Sequence, residues 1–183
     1  MKRLGLVLMS LIAVAGFIGL AYGGSTDSMD IKVTLVSNIE VNITETAYNF
    51  GTLNAKQTSV SGSYATVTNT STDNREDWAL KLSTTTVVWT AVSATPGPEQ
   101  FLLMAQFGTS APASWTSATH ALTTSNQNCS VTTYFGNGTY AQCGLDVIPG
   151  ATRNLWFRIT MPEYSAYPGS EQTIPVTVTA SAG

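Results

Sequence analysis

Between residues 31 and 43 the apolar side chains follow the odd positions: Ile31, Val33, Leu35, Ile39, Val41 and Ile43. Ser37 is the one polar interruption, and Val36 the one apolar residue out of phase. Side chains on a β-strand alternate between two faces, so this stretch predicts one half-buried β segment. Thirteen residues at ~3.3 Å each extend roughly 43 Å, about twice an ordinary strand. A strand of that length either bends between two sheets at Ser37-Asn38 or reaches beyond its own domain. The second option marks Ile31, Val33 and Leu35 as the apolar face of a strand given to a neighbour.

The residues before it have the parts of a secretory signal. Lys2-Arg3 supplies the charge, residues 4–20 are apolar apart from Ser10, and Ala21-Tyr22-Gly23 offers small residues before a cut at Gly24. The apolar run is also long enough to span a bilayer, so a retained anchor is the other reading. The expected organisation is a signal peptide at 1–23, an arm and candidate donor strand at 24–36, and a β-sandwich at 37–183. Export predicts a secreted or cell-surface protein that meets a membrane only through the signal segment.

Composition agrees with an exported domain. Of the 183 residues, 43% are hydrophobic, enough for a core, while only 10% are charged. Removing the leader takes two of the eight basic residues and leaves eleven acidic ones. No basic patch remains, which argues against nucleic acid as a partner.

Downstream, short β patterns alternate with turn signals. Trp78, Leu80 and Leu82 share a face after a polar loop at residues 71–77. Residues 87–92 form another strand, closed by Pro96-Gly97-Pro98. Residues 101–107 are apolar on both faces, which reads as a central strand with a short helix as the alternative, and residues 108–119 form a loop carrying Trp115. Leu155, Phe157 and Ile159 alternate against Trp156 and Arg158. Pro175 puts the start of the last strand at an edge or bulge. Roughly nine strands, with no helix after the leader, predict an all-β fold: a two-sheet antiparallel sandwich.

Cys129 and Cys143 flank Asn137-Gly138, a hairpin turn signal. Setting the cysteines opposite each other makes Thr133 and Thr139 cross-strand neighbours, and predicts a disulfide in an exported chain. Closing a loop of ~15 residues would contribute about 3 kcal/mol.

A family resemblance follows from these motifs. Tyr48-Asn-Phe-Gly-Thr-Leu53, then Ala65-Thr-Val-Thr-Asn-Thr70, resembles the opening of exported immunoglobulin-like modules. Pro149-Gly150, Met161-Pro162, Pro168-Gly169 and Val176-Thr-Val-Thr-Ala180 resemble their closing half. Leader, arm and single sandwich together resemble subunits of extracellular filaments held by donated strands. The resemblance implies an Ig-like sandwich whose partners are copies of itself in a homopolymer.

No catalytic set emerges. His120 is the only histidine, with no carboxylate or nucleophile tied to it by a motif, so the chain reads as no enzyme. Asp73, Glu76 and Asp77 fit no calcium-loop spacing, and neither metal nor cofactor is expected. Four sequons, at Asn42, Asn69, Asn128 and Asn137, offer glycosylation positions in an organism that performs the modification. Trp78 is in phase with the core; Trp115 and Trp156 are the expected exposed aromatics, able to contact a subunit or a sugar. The resulting reading is a structural subunit of an extracellular filament or surface layer. The alternative is a secreted carbohydrate- or surface-binding module whose partners are cell-surface glycans. Intact mass of the secreted protein, with and without reductant and alkylating agent, should give a chain starting at Gly24 with one internal disulfide; free thiols in native material would remove the disulfide.

Overall fold

The computed structural model describes residues 29–30, 32–33, 38–83 and 88–183, and the leader lies outside them. The chain separates into two units, Met1–Val36 and Ser37–Gly183. The second is nearly all β. Its strands are β1 (Val41–Ile43), β2 (Thr58–Val60), β3 (Ala65–Asn69), β4 (Glu76–Leu82), β5 (Thr90–Ala91), β6 (Gln100–Phe107), β7 (Gln127–Asn128), β8 (Thr152–Thr160) and β9 (Val176–Ala182).

They form two sheets. One runs β1-β3-β8-β6-β5, with β2 also on β8; the other runs β7-β4-β9. Every pairing is antiparallel except β5 with β6. β2 and β3 lie along the same side of β8, offset by a bulge. Thr58 pairs with Thr160 and Ala65 with Leu155, so seven steps along one strand match five along the other. Ser61 repairs the break: its N–H donates to the Phe157 carbonyl (2.8 Å), and its hydroxyl accepts the Phe157 N–H (3.1 Å).

β4 shows how alternation becomes packing. Glu76, Trp78, Leu80 and Leu82 are buried, and the residues between them are half-buried. Trp78, Leu80 and Leu82 meet Phe101, Leu103, Ala105 and Phe107 from β6 and Leu155 and Ile159 from β8 in one core. The even residues of β6, Leu102 and Met104, face the other way and are covered by Ala121 and Trp115. β6 is therefore apolar on both faces because it is covered on both.

Several expectations need correction. Of the strand expected over residues 31–43, the described part is strand only at Val41–Ile43; Ile31 and residues 34–37 lie outside the described residues. The strand expected over residues 87–92 is reduced to Thr90–Ala91, with Val87 outside the description. Helix does occur after the leader: one turn, α1 (Ser117–His120), and a 3-10 turn at Tyr140–Gln142.

The hairpin expected between the cysteines is absent. The Ser130 hydroxyl takes the N–H groups of Thr133 and Tyr134 (2.8 and 2.7 Å), turning the chain before a ladder can form. Phe135 then plunges into the core at φ 57°, fully buried. Asn137-Gly138 does turn, with Gly138 at φ 84°, but no strands flank it.

Trp78 is the largest fully buried side chain, and its indole N–H donates to a buried Glu76 oxygen at 2.9 Å. Trp78→Ala should cost about 3–5 kcal/mol. Trp78→Phe keeps most of the bulk but orphans that oxygen, and should cost about 1–3 kcal/mol. Urea unfolding checks both; a loss under ~1 kcal/mol for Trp78→Ala would contradict this account of the core.

Candidate functional site

The residues just ahead of β1 are held by polar groups turned inward. Glu76 is fully buried at the start of β4. One of its carboxyl oxygens accepts the Glu40 N–H at 2.7 Å, and the other accepts the Trp78 indole. The Glu40 carbonyl accepts from the N–H and hydroxyl of Thr70 (2.7 and 2.9 Å), and the Asn74 amide donates to the Asn38 carbonyl at 2.9 Å. Residues 38–40 are thus pinned immediately before β1. The sequence pattern assigns Glu76 and Asp77 to a polar loop, whereas the structure puts both on β4. Glu76 is in phase with Trp78, Leu80 and Leu82, and extending that phase by two residues would have placed it inside.

Of the three candidate donor residues, Val33 is 91% exposed, while Ile31 and Leu35 lie outside the described residues. The described apolar core begins only at Val41.

The sequons separate clearly. Asn42, Asn128 and Asn137 are exposed, but Asn69 is completely buried. Its amide donates to the carbonyls of Asn74 (2.9 Å) and Val147 (2.7 Å), and its oxygen accepts from the N–H and hydroxyl of Ser71. That side chain has no bonding capacity left, so Asn69 is a structural residue and not a glycan acceptor in the folded chain.

The aromatic expectation is half corrected. Trp156 does point off the apolar face of β8, yet it is only 8% exposed. Tyr64 packs edge-on against it, with centroids 5.4 Å apart, and its indole donates to the Gly108 carbonyl at 2.9 Å. Trp115 is half-buried and meets the His120 ring edge-on at 5.9 Å.

Both cysteines are free and buried. They approach β4 together: Cys129 N–H donates to the Trp78 carbonyl, and the Trp78 N–H donates to Gly144, the neighbour of Cys143, both at 2.8 Å. A Cβ placed on Gly144 would lie 3.0 Å from the Cys129 sulfur, so glycine is what lets that sulfur sit there. Burial pushes the Cys129 thiol up, and the neighbouring Cys143 adds to the shift. Cys143 donates to the Tyr140 carbonyl at 3.1 Å. Among the described residues, no three His, Cys, Asp or Glu side chains gather in a metal-binding arrangement. Asp77 instead accepts the Asp146 N–H at 2.7 Å. No helix among them is long and apolar enough to cross a membrane.

In comparisons with protein-family models, with curated proteins and with solved structures, nothing matches this chain.

His120 is 7% exposed. Its Nδ1 accepts the Thr116 N–H at 3.0 Å, which assigns the proton to Nε2, 3.4 Å from the Gly136 carbonyl. Burial lowers its pKa below the ordinary 6.5, opposed by the Gly136 carbonyl. As pH falls the unfolded chain takes up this proton first, so stability is full above the unfolded pKa and declines as pH drops towards the folded one. Melting temperature should therefore fall between about pH 7 and 5, and His120→Asn, which keeps an acceptor for Thr116, should remove that part of the slope. An unchanged slope in the variant would contradict the assignment.

Proposed function

We propose that the chain is a structural subunit of an extracellular filament or surface layer, exported by its leader and polymerised by donating the segment around Ile31, Val33 and Leu35 to a neighbouring copy. The observation that carries this reading is Val33: a large apolar side chain in a strand-like alternating segment, 91% exposed, while the described core of the two-sheet unit starts at Val41. Burying three such side chains in a neighbour offers ~5–8 kcal/mol as an upper estimate, before ladder hydrogen bonds are added. The pinned residues 38–40 support it too, because a strand given away needs a fixed point of departure.

The nine strands and two sheets are read as an Ig-like sandwich on the strength of the turn and strand motifs. A Cys129–Cys143 disulfide belongs to the same proposal: the two thiols yield two protons and two electrons to a disulfide-exchange oxidant during export. The carbohydrate-binding alternative loses support, since the buried Trp156 offers no ring face to a sugar.

Expression without residues 24–36 tests the reading. The product should be a folded, β-rich monomer by circular dichroism and sedimentation, with no filaments in negative stain, under conditions where the full chain assembles. Filaments of unchanged form from the shortened chain would overturn it.

A further inference from the structure

Besides the three-residue β2 on β8, the described sheets end in four border strands, and they are not equivalent. β1 has three residues, β5 two and β7 two, whereas β9 has seven. β9 pairs with β4 on one side in unbroken register from Glu76↔Ala182 to Leu82↔Val176. Among the described residues no strand pairs with its other side; β1 comes alongside without joining its ladder.

The hydrogen-bond phase shows which groups that free side presents. Ser83 N–H donates to the Pro175 carbonyl (3.0 Å), and Gly183 N–H donates to the Arg75 carbonyl (2.9 Å). Odd-numbered residues therefore face β4. The N–H and C=O groups of Val176, Val178, Ala180 and Ala182 point outward, as antiparallel geometry requires. The opposite phase of β4 agrees: Glu76 and Trp78 bond away from β9, to Val147, Gly144 and Cys129.

Natural edges are normally protected by charge, proline or a bulge. β9 reads Val-Thr-Val-Thr-Ala-Ser-Ala, with no charge, no proline and no positive φ. Val176, Val178 and Ala180 pack against the core yet stay half-buried, so the apolar interior is unfinished along this border.

We infer that the outer edge of β9 is the acceptor for residues 30–36 of a second copy, an inference that rests on the donated-strand reading above. The occupant matches in length, seven residues against seven, or ~23 Å of ladder. Its Ile31, Val33 and Leu35 fall on one face, as do Val176, Val178 and Ala180, so laying it along β9 extends the core face by one strand. The outward amides then gain partners in the next subunit.

Hydrogen exchange on the full chain, dispersed and assembled, tests the edge directly. On assembly the amides of Val176, Val178, Ala180 and Ala182 should slow by about 100-fold or more, while those of Thr177 and Thr179, already bonded to β4, are slow in both states. Ala180→Pro supplies a second test. Its lost N–H faces outward, so the β4 ladder survives and the subunit folds, but assembly fails.

Slowing of residues 30–36 without slowing of the even β9 amides would place the donated strand elsewhere, overturning the acceptor and leaving donation intact. No slowing of residues 30–36 would overturn donation and acceptor together. Even β9 amides already slow in the dispersed monomer would mean that the chain covers its own edge, which also overturns the proposal.

Discussion

The structure depends on a carboxyl group with no access to solvent. Burying Glu76 is costly unless its oxygens find donors, and each has one: the Glu40 N–H on one side and the Trp78 indole on the other. That requirement ties three parts of the chain together. It holds the residues ahead of β1, fixes the orientation of the largest core side chain, and locks the start of β4. Asn69 does similar work nearby, joining β3 to the carbonyls of Asn74 and Val147. Satisfied networks of this kind specify one arrangement, because each alternative leaves a buried group unpaired.

From that corner the two sheets differ in the length of their border strands. β8 is paired on both sides and β6 is covered on both faces, and the bulge at Ser61 is repaired by its own hydroxyl. Among the described residues, β9, at the border of the other sheet, has no strand on its outer side.

Much of this was legible where one strand's periodicity sufficed. The phase of Trp78, Leu80 and Leu82 put those side chains in the core, and the two-faced apolarity of residues 101–107 marked a central strand. Some misreadings turn on partners distant in sequence, others on local side-chain bonds to the backbone. Trp156 was placed on the correct face, but Tyr64 and Gly108 cover it from 92 and 48 residues away. Asn137-Gly138 is a real turn, yet the Ser130 hydroxyl and the burial of Phe135 decide what surrounds it. Asn69 fits a sequon by three letters, and only the fold shows that its amide is consumed.

Donation of residues 30–36 to a neighbouring subunit, as proposed above, is open to a direct test. Solid-state NMR on filaments co-assembled from ¹³C-labelled and ¹⁵N-labelled chains isolates that claim, because any carbon–nitrogen contact across the two labels must be intermolecular. The account predicts cross-label contacts between the Val33 segment and the sandwich of another chain. Contacts of that segment appearing only when both labels reside in one chain would contradict it.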